Sequence, residues 1–291
     1  MRALVISCVL LTGCTGTMDA YFAQDVVEKV TEEPYVAGTT NPRQYLDLYL
    51  PREVDNFPVV VFVHGGYWIA QDKDFFQPFV GLYGNVGIAL ARRGIGVAVI
   101  NYRLVPDVTL DDELADVAAA VGWVQGHIAA RGGDPTRMVL AGHSAGGHMT
   151  ALLAFDDARL AAAGVDLTGM RGYAPLSPIL DVQHMVDHPP PRPGFTEDIV
   201  VPVFGTDFTR NSPRTYFRST VSPLLVIMGD ADEAFLLEQL PVAVADLEAL
   251  GAPVSFHTLV GHDHEDIVLD FDQDGDAMTP LLSAFVDDVT R

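Results

Sequence analysis

The sequence predicts an α/β protein built on a mostly parallel central sheet with helices on both faces. Three observations carry that prediction. Strand-like runs alternate with helical patterns from residue 45 to the end of the chain, the rhythm of successive crossover units. Pro58 to Val63 is an uninterrupted, valine-rich apolar run, as a strand buried on both faces requires. Met138 to Ala141 is a second apolar run, and it passes through a turn of small residues straight into a helical pattern. With 291 residues, 49% of them apolar and 19% charged, the chain can bury a core of the size such a sheet needs.

The first residues stand apart from this rhythm. Met1-Arg2 is a short positive start, Ala3 to Leu11 a short apolar run, and Leu11-Thr12-Gly13-Cys14 closes it. The run is too short to span a bilayer and reads as an export signal over residues 1–13. Both cysteines, Cys8 and Cys14, lie here, so the main domain has no disulfide framework and no cysteine-based metal site. Leu-Thr-Gly-Cys resembles the lipobox of bacterial lipoproteins. That resemblance implies lipidation at Cys14 and an exported protein tethered to a membrane face of the cell envelope, periplasmic or outer. Residues 14–40 read as a tether that ends in a helix over Ala20 to Val30, and residues 41–291 as the main domain.

Within that domain Tyr45 to Leu50 alternates like a strand with one wetter face, and the Pro58 to Val63 strand follows. Val86 to Arg92 is helical, Val97 to Asn101 a strand, and Asp111 to Ala130 a long helix that ends at Arg131-Gly132-Gly133. Further strands fall near Gly172 to Pro175, at Leu224 to Met228 and at Val254 to Val260. Helices are predicted over Leu240 to Leu250 and Leu281 to Val289. Residues 181–216 break the rhythm. Pro189, Pro190, Pro191 and Pro193 exclude regular helix or central strand, so this stretch reads as a small cap insertion. Ser212-Pro213 has the form of a helix start, serine as N-cap and proline at the first helical position.

Charge narrows the range of partners. The 39 acidic and 17 basic residues give a formal net charge of -22, a field that repels nucleic acid and anionic lipid surfaces.

The turn after Met138 to Ala141 is Gly142-His143-Ser144-Ala145-Gly146, a G-x-S-x-G placed between strand and helix. In that context Ser144 projects from a strained turn, and the backbone N–H of Ala145 points to where an oxyanion forms. An activated serine needs a base within hydrogen-bond reach and a carboxylate to orient that base. Two later strands supply candidates at their ends: Gly229-Asp230-Ala231-Asp232-Glu233, and Gly261-His262-Asp263-His264-Glu265. The residues alone do not choose among Asp230, Asp232 and Glu233, or between His262 and His264. His64-Gly65-Gly66-Tyr67-Trp68 follows the buried strand, and its glycines let the N–H groups of Gly65, Gly66 and Tyr67 join that of Ala145 around an oxyanion.

From about Tyr45 to Val268 the chain resembles the α/β-hydrolase serine esterases of the hormone-sensitive-lipase and kynurenine-formamidase-like (BD-FAE-like) group. The matching stretches are Leu46-Asp47-Leu48-Tyr49-Leu50-Pro51, His64-Gly65-Gly66-Tyr67-Trp68, Tyr102-Arg103-Leu104 with Pro106, Gly133-Asp134-Pro135, and Gly142-His143-Ser144-Ala145-Gly146-Gly147-His148. The resemblance implies the α/β-hydrolase fold and a triad of Ser144, Asp232 and His264. It also implies hydrolysis of carboxylic esters through an acyl-enzyme, with no cofactor and a small-molecule ester as partner. Two alternatives stand beside it: an arylformamidase-type amide hydrolase, and a catalytically silent binding lipoprotein on the same fold. The acidic Asp263 and Glu265 beside the histidine and the proline-rich cap depart from the group's pattern.

The remaining polar groups read more plainly. His148 is expected to pack one turn into the helix after Ser144. His127, His184 and His188 show no ligand spacing, and no metal site is predicted. Asp270 to Asp276 resembles the first half of an EF-hand loop, but Leu281 stands where the closing acid belongs. An acidic loop capping the last helix is expected instead. Arg210, Arg214 and Arg218 recur at helical spacing, either paired with surface carboxylates or forming a cap face for an acidic substrate. Tyr67, Trp68, Phe75, Phe76, Phe204 and Phe208 are candidates to line an acyl or aryl pocket, or to belong to the core.

Overall fold

The computed structural model describes residues 26–75 and 81–291. The expected export signal over residues 1–13, Cys14 and Phe76 lie outside the described residues. Eight strands form one sheet: β1 (Val27–Pro34), β2 (Tyr45–Pro51), β3 (Phe57–Val63), β4 (Gly96–Ile100), β5 (Gly133–His143), β6 (Met170–Leu176), β7 (Leu224–Gly229) and β8 (Val254–Leu259). Their spatial order is β1-β2-β4-β3-β5-β6-β7-β8. β2 runs antiparallel to both of its neighbours, and every other pairing is parallel. The helices are α1 (Gly84–Ala91), α2 (Leu110–His127), α3 (Ala145–Phe155), α4 (Ala158–Ala162), α5 (Val182–Asp187), α6 (Val201–Phe204), α7 (Ala234–Ala249), α8 (Asp266–Leu269) and α9 (Met278–Val289). Among the described residues, no helix is long and apolar enough to cross a membrane.

β3 shows why a continuous apolar run belongs at the centre. Val59, Val61 and Val63 enter the core on one face with residues of α2, α3 and α7. Val60 and Phe62 enter the other with residues of α1 and α9. Both faces are covered, so no polar alternation is tolerated. Each fully buried valine contributes about 1.5–3 kcal/mol relative to an exposed one.

The N-terminal edge corrects the sequence reading. Residues 27–30, expected to end a helix over Ala20 to Val30, are strand: Val27–Pro34 is β1, pairing antiparallel with β2 so that Val30 lies opposite Leu48 and Pro34 opposite Tyr45, and residues 20–25 lie outside the described residues. Val27 and Val30 pack into clusters on opposite faces of the sheet, which is what three-residue spacing means in a strand. The same spacing on paper imitates one face of a helix. A register shift between Val30 and Glu33 breaks the alternation further.

Register brings the functional loops together. Val63 of β3 lies opposite Gly142 of β5, His143 opposite Leu176 of β6, Leu176 opposite Ile227 of β7, and Gly229 opposite Leu259 of β8. The carboxyl ends of these strands are therefore level, and the loops that leave them share one rim, the usual place for ligands on a parallel sheet. Residues 181–216 lie between β6 and β7 and hold α5, a π-turn (Thr196–Val200) running into α6, and a 3-10 turn (Pro213–Tyr216). The proline-rich stretch between them is not helical, as its composition requires. Ser212 precedes the 3-10 turn but makes no side-chain cap. Its hydroxyl donates to Phe208 O and accepts from Val182 N, both at 2.8 Å, and so ties the two ends of the insertion.

Candidate active site

Ser144 sits on the turn from β5 into α3 with φ +56° and ψ -117°, a conformation that non-glycine residues rarely hold. The chain adopts it because strand and helix approach too closely for anything but glycine on either side. A Cβ on Gly146 would lie 2.2 Å from Val63 O, and one on Gly142 would lie 2.5 Å from Gly146 O. The G-x-S-x-G spacing is a steric requirement here. Ser144 N donates to Leu176 O at 2.9 Å, which locks the turn to the end of β6.

The acid and the histidine come from the loops after β7 and β8. His264 Nδ1 donates to Asp232 Oδ1 at 2.7 Å, and Asp232 is buried. Asp232 also accepts from Ser177 Oγ at 2.6 Å and from Glu233 N at 2.8 Å. Burial opposes a charged carboxylate, but the His264 bond and charge, with Ser177 and the Glu233 N–H, outweigh it and hold Asp232 below the ordinary carboxylate range. Burial likewise opposes protonation of His264. Asp232, and then the charges of Glu265 and Glu233, overcome it and raise the imidazole above its usual value. The His264 carbonyl accepts from His143 Nε2 at 2.9 Å, so the histidine loop is fastened to the residue that precedes Ser144. His143 itself is pushed down to about 3 by burial and by His264, which keeps it a neutral donor.

Geometry thus separates the alternatives that the residues alone left open. Asp230 Oδ1 is occupied by Gly261 N at 2.7 Å and tightens the turn after β8. His262 binds Asp270 through Nε2. Asp232 and His264 are the pair that meet. Ser177 was not foreseen, although Ser177-Pro178 directly after a predicted strand places a hydroxyl at the same rim.

The glycine loop after β3 packs against the elbow: a Cβ on Gly65 would stand 3.2 Å from Ser144 Cβ. Gly65 itself corrects an expectation. Its N–H donates to Tyr83 Oη at 3.0 Å, and Tyr83 donates on to Gln71 Oε1 at 2.7 Å, so this N–H is spent on holding the loop. Nothing near residue 65 in sequence signals that, because Tyr83 stands just before α1. Gly66 has φ +110° and Tyr67 φ +55°, so the chain turns sharply over the elbow. Ala145 opens α3, where a backbone N–H has no intrahelical acceptor.

Above this loop lies the insertion. The Tyr67 ring is met edge-on by Phe195, centroids 6.0 Å apart, and the Arg192 guanidinium lies 5.5 Å from it. Trp68 is fully buried, edge-on to Phe204 at 4.8 Å and to His148 at 5.1 Å, and Phe75 packs with the core on the opposite face of the sheet. Most of the candidate pocket aromatics are therefore core. His148 is packed, as expected, with Nε2–H donating to Asn211 O at 2.8 Å. Arg210 pairs with Asp111, Arg214 with Asp181 and Asp246, and Arg218 with Asp157. The three arginines pair with carboxylates, the first of the two expected readings. Asp276 Oδ1 accepts from Met278 N and Thr279 N, both at 2.8 Å, and Asp272 pairs with Arg92. That loop caps α9, as expected.

The strand order and the serine at the turn from the fifth strand into its helix make this an α/β-hydrolase fold. Known proteins agree with that fold: residues 46–188 match the BD-FAE family model. The chain is 31% identical to the isoprenylcysteine alpha-carbonyl methylesterase of Arabidopsis thaliana, over 92% of this chain and 64% of that protein. It is 28% identical to the kynurenine formamidase of Drosophila melanogaster, over 78% of this chain and 72% of that one. Among solved structures it superposes on Esterase B of Lactobacillus rhamnosis with a TM-score of 0.77 at 22% identity, covering 94% and 90% of the two chains. The likeness to α/β-hydrolase esterases and kynurenine formamidases, expected from the motifs, is borne out. The chain spans less than two thirds of the length of the plant methylesterases it matches, from 24% to 64% of them.

Proposed function

We propose that this protein is a serine hydrolase that cleaves carboxylic esters of small to medium size. The observation that carries the proposal is the 2.7 Å bond from His264 Nδ1 to buried Asp232, on the rim that also holds the strained Ser144. With Nδ1 committed to the acid, Nε2 is the nitrogen left for the serine. Ser144 Oγ attacks the acyl carbon as its proton passes to His264 Nε2, and the oxyanion forms against the N–H groups of Gly66, Tyr67 and Ala145. Each such donor is worth about 3 kcal/mol in the transition state. The tetrahedral adduct expels the alcohol, which takes the proton from His264. Water, deprotonated by the same nitrogen, then releases the acid and restores Ser144. The similarity to a plant methylesterase supports ester cleavage. The similarity to a kynurenine formamidase supports a second reading, cleavage of an arylformamide by the same steps.

The test is a burst of p-nitrophenol from p-nitrophenyl esters, run beside an arylformamide, with labelling of Ser144 by a fluorophosphonate. Ser144→Ala is expected to abolish both burst and label. Ester turnover that survives in Ser144→Ala rules the mechanism out. We extend the proposal to the chain's location: Leu11-Thr12-Gly13-Cys14 supports export and lipidation at Cys14, with the hydrolase tethered to the cell envelope. Cys14→Ser is expected to move the protein from the membrane to the soluble fraction. An unchanged distribution refutes the tether.

A further inference from the structure

We infer that His184, His188 and Glu238 form a binding site for a divalent transition metal of the zinc class, which fastens the start of the insertion to α7. Their ligand atoms lie within 4.8 Å of one another. His184 is on α5 and His188 is the residue that closes it, one turn further on, so both rings project from one side. Their centroids are 4.4 Å apart and the rings are nearly parallel. Sequence reading passed over this i, i+4 pair because its third member stands 50 residues away on another helix.

Three features go beyond chance proximity. His188 Nδ1–H donates to His184 O at 3.2 Å, which fixes the tautomer and leaves Nε2 as the electron-pair donor. His184 Nε2 is shielded from solvent and lies 3.3 Å from Glu238 Oε2, yet the pair does not meet hydrogen-bond geometry. A shielded ring nitrogen that faces a carboxylate without a hydrogen bond between them is a pair that a cation bound to both would satisfy. Finally, the frame is rigid. Gln239, buried next to Glu238 on α7, accepts from Leu180 N at 2.9 Å and Asp181 N at 2.8 Å, and Asp181 caps α5 by accepting from His184 N at 3.0 Å. The backbone that carries all three ligands is held in place, and only side-chain torsions need adjust. Zinc bonds of about 2.0–2.1 Å in a tetrahedron put ligand atoms about 3.3 Å apart, a small contraction from the present spread. Two imidazoles and one carboxylate suit Zn²⁺, Co²⁺ or Ni²⁺ rather than Ca²⁺ or Mg²⁺, with water completing the shell. This inference does not rest on the ester chemistry, since none of the three ligands is Ser144, Asp232 or His264.

The experiment is titration of the untagged, chelator-treated full chain with ZnCl₂ by calorimetry, followed by thermal unfolding. One equivalent is expected to bind, and saturating Zn²⁺ to raise Tm by about 5 °C. His188→Ala and Glu238→Gln are each expected to weaken binding roughly tenfold or more while leaving the metal-free Tm unchanged, because both side chains are exposed. In the unaltered chain, Co²⁺ is expected to broaden the NMR ring signals of His184 and His188 and spare His127, a readout that needs no variant. Failure to take up one Zn²⁺, variants that bind like the parent, or broadening that misses these two rings overturns the site.

Discussion

The rim at the strand ends and the insertion lying over it are held by different physics. On the rim, position follows from register: Ser144, the glycine loop and Asp232 stand at the level ends of β5, β3 and β7, and backbone packing tolerates no substitute at Gly146. The insertion is tied down by side chains instead, with Arg210 and Arg214 on carboxylates and a few aromatics against Tyr67 and Trp68. Chemistry that needs sub-ångström placement sits on the first. If that contrast is right, damage to the rim has large effects on rate and stability, and damage to the ties of the insertion has small ones.

The largest effect is expected at the acid. Asp232→Asn keeps the shape of the side chain but offers His264 the wrong hydrogen-bond partner, and kcat is expected to fall about 10⁴-fold with the fold intact. Steady-state kinetics beside circular dichroism check both halves; a loss below tenfold removes Asp232 from its role. Next comes Gly146→Ala. Its Cβ would lie 2.2 Å from Val63 O and 2.6 Å from His64 O, backbone atoms of β3 and its loop that cannot swing aside. A loss of about 3 kcal/mol in urea unfolding is expected. A variant as stable as the parent would show that strand and helix can separate, and that the rim is softer than its register implies.

How much of this was legible in the sequence follows the same division. Elements whose burial is dictated by their own residues were readable: Pro58 to Val63 has one plausible fate, and Gly142 to Gly146 carries its steric constraint in its spelling. The choice of Asp232 and His264 needed a resemblance, because Asp230, Asp232 and Glu233 differ only in which one reaches His264 across 32 residues. β1 was misread because an edge strand with valines on opposite faces has helical spacing. Gly65 was miscounted as an oxyanion donor because the Tyr83 hydroxyl that occupies its N–H arrives through tertiary structure. The pairings of Arg210, Arg214 and Arg218 could be stated only as a class, since exposed partners leave no periodicity to read.

Ser177→Ala tests whether support one bond from the triad still belongs to the rim. It removes the 2.6 Å bond to Asp232 Oδ2 and leaves Nδ1 of His264 its own oxygen. A fall of about tenfold in kcat with KM unchanged is expected, since a hydrogen bond to a buried charged group is worth about 1.5 kcal/mol. A larger change in KM than in kcat would move Ser177 from the acid to the substrate. Smaller still is the effect of charge beside the base. In the proposed mechanism His264 is a neutral base, and its folded value is raised above the usual 6.5, so kcat/KM is expected to be lost as pH falls through that raised value. Glu265→Gln removes one of the charges that raise it. The acidic limb is then expected to move to lower pH by about half a pH unit or less, with the plateau rate kept. A limb that moves to higher pH contradicts the assignment of His264 as the titrating group.

The smallest effect is expected on the insertion itself, and it sharpens the contrast most. Arg210 and Asp111 are both about half exposed, at 55% and 48%, and Asp111 has a second partner in Arg159. Water screens such a pair, and ordering two long side chains offsets much of the attraction. Arg210→Ala is therefore expected to cost less than about 0.5 kcal/mol in urea unfolding, and less again in high salt, without altering kcat. A drop in kcat with stability unchanged would mean that this tie positions the segment over Tyr67 during turnover. In that case the insertion takes part in catalysis through its placement, and the line drawn between the rim and its cover lies too low.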